Sequence, residues 1–118
     1  MAEIRLRVAS GPLRGREFVY QQHDILLFGR APDCHACLPP EDRTASRHHF
    51  ILEVNPPEAR LRDLGSLNGT WVNGAKIGGR ERGETPEEGA QRAYPQVDLK
   101  DGDEIRVGET VLRVRIEA

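Results

Sequence analysis

Three side chains in the first half of the sequence could together bind an anion. Arg30 carries a planar guanidinium that can bind two phosphate oxygens at once, Ser46 a short hydroxyl donor, and Arg47 a second cation beside it. A phosphate group at neutral pH carries about −1.5 to −2 charges and three acceptor oxygens, so its site needs converging donors and at least one cation. These residue types therefore suit the recognition of a phosphate group.

Because the chain carries no basic surplus, any phosphate-binding site must be a local cluster of donors. The net charge is −2 and the isoelectric point is near 6.1, whereas a general binder of nucleic acid or of anionic membranes needs a basic surplus. No apolar run approaches the roughly 20 residues that span a bilayer. The N-terminal segment also lacks the apolar core of a signal peptide. We therefore expect a cytoplasmic protein with neither a nucleic-acid nor a membrane partner.

The elements that must position these residues are predicted to be strands. Residues 4–8 alternate between apolar side chains and arginine, which indicates a half-buried strand. The continuous apolar run 25–28 predicts a strand that is buried on both faces. Turn signals recur about every ten residues, as in sandwiches and barrels. Further strands are predicted at 16–20, 50–54, 60–64, 105–107 and 110–116, the last two as a hairpin, and Pro39 to Asp42 is predicted to be a polar loop.

Two Asn-Gly pairs, at 68–69 and 73–74, mark tight turns. Both residue types accept positive φ, which makes this pair a strong local signal for a turn. The first turn is predicted to place residues 66–68 on a loop tip. The second is predicted to end a short strand at 70–72.

The segment from about 78 to 96 departs from this strand pattern. It is polar and rich in glycine, and it is longer than most connections. Thr85 followed by Pro86 predicts one helical turn, since threonine is a good N-cap and proline suits the first helical position. Tyr94 is expected to fix the segment to the body of the domain. The segment is interpreted either as a tolerated surface insertion or as a functional loop.

Four segments resemble, in order and spacing, the signature of the forkhead-associated (FHA) domain family. They are 28–30 (FGR), 46–50 (SRHHF), 63–74 (DLGSLNGTWVNG) and 99–105 (LKDGDEI). The resemblance covers nearly the whole chain. It implies an all-β fold, an FHA-type β-sandwich of about eleven short strands with binding loops at one end and the termini at the other. We therefore expect a single FHA domain over residues 1–118, with a polar loop insertion at about 78–96.

The resemblance also implies recognition of phosphothreonine. Arg30, Ser46 and Arg47 would hold the phosphate, and Asn68 would bind the peptide main chain just after the phosphothreonine. Leu67 stands where the family often has a polar residue, so one hydrogen bond to the ligand is missing. The residues expected to support the site are Gly29, His49, Gly65, Gly69 and Asn73. The partner would be a phosphothreonine-containing protein or peptide, either a Ser/Thr kinase or its substrate.

Metal and redox chemistry have weaker signals. Cys34 and Cys37 form a C-x-x-C pair, which could be a redox pair or half of a zinc site, but the chain has no second such pair. His48 and His49 are adjacent, and neighbouring residues of a strand point to opposite faces. We therefore do not expect the two histidines to bind the same metal ion. His49 is expected to brace the loops, as the resemblance implies. We expect no metal and no cofactor.

The sequence contains none of the G-x-S-x-G, P-loop or H-E-x-x-H motifs, so we expect no enzyme. Two hypotheses remain. The chain is either a phosphothreonine-dependent module of Ser/Thr kinase signalling, or a constitutive, phosphate-independent module that uses the 78–96 insertion or a sheet face. A variant of the first has phosphorylated Thr85 occupy the site of its own or a neighbouring domain.

Overall fold

The computed structural model describes residues 2–37, 45–81, 83–92 and 94–118, and the loop predicted at 39–42 lies outside them. The described residues form eleven strands and one short helix. None of the described helical segments has the length and apolar character needed to cross a membrane. In chain order the elements are β1 (Glu3–Ser10), β2 (Glu17–Tyr20), β3 (Asp24–Gly29), β4 (Ala36–Cys37), β5 (Phe50–Asn55), β6 (Glu58–Asp63), β7 (Thr70–Val72), β8 (Ala75–Gly78), α1 (Pro86–Gln91), β9 (Val97–Asp98), β10 (Glu104–Val107) and β11 (Thr110–Glu117).

The strands form two sheets that enclose one apolar core. One sheet has the order β2-β1-β11-β10-β7-β8, and the other has the order β4-β3-β5-β6-β9. Neighbouring strands are antiparallel except for β4, which runs parallel to β3. The rings of Phe28 and Phe50 stack at 4.7 Å in the core, and both side chains are fully buried. The predicted all-β sandwich of about eleven short strands is confirmed.

Strand β3 differs from its prediction. Residues 25–28 were expected to be buried on both faces, but Ile25 is 48% exposed while Leu26 and Phe28 are buried. Only the inner face of an antiparallel sheet in a sandwich packs on the core, so a continuous apolar run can still have one open face.

Three short strands were not predicted from the sequence: β4, β8 and β9. Strand β8 follows the turn at Asn73 and Gly74, whose φ angles are 51° and 82°. Positive φ at both central residues is the mark of the hairpin turn that Asn-Gly favours. The predicted end of the 70–72 strand is therefore confirmed, and the chain continues directly into its hairpin partner.

The strand register shows that the loop before β7 and the first and last strand residues lie at opposite ends of the sandwich. Thr70, at the start of β7, pairs with Val107, and Val107 pairs with Thr110 at the start of β11. Glu3 of β1 pairs with Glu117 at the other end of β11. The loop that precedes β7 therefore lies at one end of the sandwich and the first and last strand residues lie at the other.

Candidate functional site

The end of β3 and the segment before β5 approach each other very closely. The Arg30 amide donates to the Ser46 carbonyl at 3.1 Å, and the Ala31 amide donates to the Arg47 carbonyl at 3.0 Å. A Cβ atom at Gly29 would lie 2.0 Å from the Arg47 carbonyl oxygen. Glycine is therefore required at position 29 if the two segments are to remain in this contact.

These two segments and the loop after β6 surround a pocket at the same end of the sandwich. Among its lining residues are Arg30, Ser46, Arg47 and Leu67. Arg30 Nε donates to the Ala45 carbonyl at 2.5 Å, which fixes the direction of the guanidinium. Four of the five predicted ligand-binding residues thus line one pocket.

Ser46 and Leu67 join the two sides of this pocket. The Leu67 amide donates to the Ser46 hydroxyl at 2.9 Å. A hydroxyl that accepts such a bond still has its own hydrogen to donate. The Leu67 side chain is 57% exposed, and Asn68 beside it is also exposed. Asn68 therefore lies at the pocket edge, one residue beyond the lining.

His49 is the buried link between the same loops. Its Nδ1 accepts from the Ser46 amide at 2.9 Å, and its Nε2 lies 2.8 Å from the Gly69 carbonyl oxygen. A carbonyl can only accept, so Nε2 carries the hydrogen and the ring is the neutral tautomer. The geometry agrees with the bracing role expected for His49, whereas the neighbouring His48 is exposed.

Asp63 is the main anchor of the loop after β6 and was not among the predicted site residues. Its buried carboxylate accepts from the amides of Gly65 and Ser66 at 2.7 and 2.8 Å, and from the hydroxyls of Ser66 and Thr70, each at 2.6 Å. Residues 66–68 lie in the predicted loop, but only Leu67 and Asn68 are exposed at its tip, whereas Ser66 is fully buried. The signal was present, because an Asp two residues before Gly is typical of an Asx-turn.

The other predicted supporting residues have different positions. Gly65 and Gly69 have φ angles of 86° and 90°, the left-handed region that favours glycine, and both lie in the loop beside the pocket. Asn73 lies at the opposite end of β7. Its side chain donates to Asp103 and accepts from the Glu104 amide, each at 2.9 Å. Asn73 thus fixes the β7–β8 turn to the start of β10 and does not contact the pocket.

Three residues of types that can bind a metal ion lie close together at the pocket, and one of them, His48, lines it. His48 Nε2 is 3.0 and 3.1 Å from the two carboxylate oxygens of Asp33, and this hydrogen bond lowers the pKa of Asp33. The buried Cys34 thiol donates to the Arg47 carbonyl at 3.3 Å, and the ligand atoms of Asp33, Cys34 and His48 lie within 4.8 Å of one another. Hydrogen bonding accounts for this arrangement without an ion.

The 78–96 insertion also contributes to the pocket, which the sequence did not indicate. Arg80 and Glu87 are among the lining residues. The predicted helical turn is confirmed as α1, with Thr85 as its N-cap and Glu88 completing a capping box. Tyr94 donates to the Gly79 carbonyl at 3.1 Å, as expected of a residue that fixes the insertion.

A larger depression lies on the outer face of β1 and β11. Its volume is about 630 Å³, compared with about 480 Å³ for the pocket described above, and its lining includes Arg5 and Arg115. Arg5 pairs with Glu3 and Glu17, and Arg115 pairs with Glu117. None of the predicted site residues lines this depression, so we favour the smaller pocket as the functional site.

Comparison with known proteins agrees with the motif order. A family model described as the FHA domain matches residues 26–108. The oxoglutarate dehydrogenase inhibitor of Corynebacterium efficiens is 36% identical over 104 residues, which are 88% of this chain and 59% of that protein. The glycogen accumulation regulator GarA of Mycobacterium tuberculosis is also 36% identical, over 88% of this chain and 52% of its own length. The chain therefore spans about half the length of these curated relatives.

Solved structures give the same result. A structure from an analysis of phosphothreonine-dependent FHA domain interactions superposes with a TM-score of 0.74 at 28% identity, covering 98% of both chains. The FhaA FHA domain, solved in complex with the intracellular domain of Rv3910, gives a TM-score of 0.71 at 29% identity, covering 95% of this chain and 99% of that one. The kinase-interacting FHA domain of an Arabidopsis kinase-associated protein phosphatase gives 0.76 at 27% identity, covering 99% of this chain and 95% of that one.

Proposed function

The chain belongs to the FHA domain family, and on that premise we propose that it binds phosphothreonine-containing segments of other proteins. Arg30, Ser46 and Arg47 hold the phosphate in this proposal, and Asn68 binds the peptide main chain that follows. FHA domains are interaction modules and not enzymes, so the bound phosphate is recognised and not hydrolysed.

The single observation that supports this function best is the pocket between the end of β3 and the segment before β5. It brings a guanidinium held by Ala45, a hydroxyl with a hydrogen to donate and a second guanidinium to one place. Each hydrogen bond from a charged donor contributes about 1.5–3 kcal/mol. Because the surrounding loops are fixed by His49 and Asp63, little conformational entropy is lost when the ligand binds.

The partner class follows from the proteins that the chain resembles. FhaA was solved with the intracellular domain of another protein, and the Arabidopsis domain is described as kinase-interacting. We propose a partner within Ser/Thr kinase signalling, either a kinase or its substrate, and a cytoplasmic site of action. The names of the curated relatives, an inhibitor and a regulator, suggest that binding changes the activity of the partner.

The experiment compares a phosphothreonine peptide with its unphosphorylated twin by isothermal titration calorimetry. We expect binding of the phosphorylated peptide alone. Arg30→Ala should weaken it about tenfold or more, since loss of one charged hydrogen bond costs about 1.5–3 kcal/mol. Arg62→Ala is the control, because Arg62 is exposed on β6 and does not line the pocket.

Equal affinity for both peptides would contradict the proposal and favour the constitutive module instead. That alternative predicts that removal of residues 81–92 abolishes partner binding while Arg30→Ala leaves it unchanged. Thermal denaturation of each variant separates loss of the site from loss of the fold.

A further inference from the structure

The insertion is fastened to the loop that carries Asn68. The Arg80 amide donates to the Ser66 carbonyl at 2.7 Å, and Ser66 is itself held by Asp63. A Cβ atom at Gly79 would lie 2.7 Å from the Gly69 Cα atom, so the two backbones touch. The start of the insertion is therefore part of the wall of the pocket.

The outer part of the insertion is held by its own contacts. Arg92 forms ion pairs with Glu81 at 3.1 Å and with Glu84 at 2.7 Å. The Glu84 carboxylate also accepts from the Glu81 amide at 2.6 Å, and its pKa is lowered first by that hydrogen bond and then by Arg92. These contacts close the segment around α1 and hold the helix beside the pocket.

Helix α1 packs directly on the side chain of Arg80. A Cβ atom at Gly89 would lie 2.3 Å from Arg80 Cγ and 3.2 Å from the Gly65 carbonyl oxygen. Glycine disfavours a helix, and it is found here at the position where a methyl group would displace the arginine stem. The stem of Arg80 is thus enclosed between α1 and the loop after β6.

Arg80 holds a donor whose acceptor is missing. Its Nε atom is buried, and no hydrogen-bond partner for it exists among the described residues. A buried N–H without an acceptor costs free energy, so such a group in a pocket is suited to bind an acceptor that the ligand brings. The same pocket is lined by Arg30 and Ser46, the residues proposed to bind phosphate.

We propose that Arg80 is a specificity-determining residue that binds the carboxylate of an acidic side chain following the phosphothreonine. This inference rests on the proposed function. The phosphate-binding groups lie on the side formed by residues 29–31 and 45–47, whereas Arg80 is fastened to the loop of Asn68, which would bind the main chain after the phosphothreonine. A guanidinium fork matches a carboxylate in two parallel hydrogen bonds.

Glu87 affects binding at this pocket in a way that is separate from the selection. It is exposed on α1 and lines the same pocket. Its negative charge opposes an anionic ligand in general, so Glu87→Gln should strengthen binding of every phosphopeptide by a few-fold, while the preference for an acidic residue stays.

The test measures the affinity of paired phosphothreonine peptides that differ only by Asp against Asn, or Glu against Gln, at each of the first positions after the phosphothreonine. We expect the protein to prefer the acidic member about tenfold at one of these positions, the size of one charged hydrogen bond. Arg80→Gln should reduce this preference to about twofold or less while the amide peptide still binds. Arg62→Gln, which removes an equal charge on β6, should keep the preference.

Gly89→Ala provides a second variant that keeps the charge of Arg80 and favours the helix. It should also lose the acidic preference, because the added methyl group displaces the arginine stem. An equal loss of affinity for acidic and amide peptides in Arg80→Gln, or no change in either, would overturn the inference and leave the proposed function intact. If the unaltered protein binds phosphorylated and unphosphorylated peptides equally, the proposed function fails and the inference fails with it.

Discussion

The Nε2 atom of His49 lies 2.8 Å from the carbonyl oxygen of Gly69, although 20 residues separate them along the chain. Through Nδ1 the same ring accepts from the Ser46 amide. One neutral imidazole therefore links the loop that presents Ser46 to the loop that presents Asn68, beside the bond from the Leu67 amide to the Ser46 hydroxyl.

His49→Ala should lower the free energy of unfolding by about 2–5 kcal/mol, since each buried group that loses its partner costs about 1–3 kcal/mol. His48→Ala is the matched control. Its side chain is exposed, so the change should stay within about 0.5 kcal/mol. Urea denaturation measures both, and equal losses in the two variants would contradict the bracing role of His49.

Asp63→Asn should lower the free energy of unfolding less than Asp63→Ala does. In Asp63→Asn the side-chain oxygen can still accept from the amides of Gly65 and Ser66, and the hydroxyls of Ser66 and Thr70 can turn to accept from the new NH₂. We expect a loss of about 1 kcal/mol for Asn and about 3 kcal/mol or more for Ala. The reverse order in denaturant midpoints would show that the four contacts do not act as described.

Leu67→Thr should raise the affinity for a phosphothreonine peptide about fivefold, because it adds a hydroxyl at the pocket edge and one neutral hydrogen bond contributes about 0.5–1.5 kcal/mol. The backbone bond from the Leu67 amide to Ser46 is unaffected. Leu67→Ala removes the side chain without adding a hydroxyl and should bring no such gain. Isothermal titration calorimetry measures the peptide affinity of the unaltered protein and both variants. An equal rise in affinity in both variants would show that removal of the leucine side chain, and not the added hydroxyl, causes the effect.

Tyr20 should control stability at alkaline pH. Burial, and secondarily the charge of Asp24, raises the pKa of Tyr20 from 10.0 to about 12. As the pH rises above 10, the unfolded chain loses the phenol proton first, so the folded state loses stability between pH 10 and about 12. Tyr20→Phe should flatten this loss and leave stability at neutral pH nearly unchanged. Parallel pH profiles of the two proteins, measured by thermal denaturation, would contradict the assignment.

The sequence predicted the fold well where the signals are local. The alternation in β1, the hairpin of β10 and β11 and the Asn73-Gly74 turn each depend on neighbouring residues, and the structure confirms all three. The exposure of Ile25 could not be read in this way. It depends on which sheet face meets the core, and that is decided by strands distant in sequence.

The sequence predicted most of the residue types of the candidate site, but less of their spatial arrangement. The ordered motifs indicated Arg30, Ser46 and Arg47, which line one pocket. Arg80 carries no such signal, since nothing in a polar, glycine-rich segment indicates that its helix folds back onto the binding loops. Its position depends on the contact between Gly79 and Gly69 and on the bond to Ser66, and both are long-range.

The pairing of β1 with β11 has a mechanical consequence. Glu3 lies opposite Glu117, and the ladder continues from there toward Ser10. A pulling force applied between the two ends would load these hydrogen bonds one pair at a time, from the end far from the pocket, instead of shearing all of them together. The β1–β11 pairing should therefore separate at low force, beginning at Glu3 and Glu117. The pocket should keep its shape until the separation reaches Ser10.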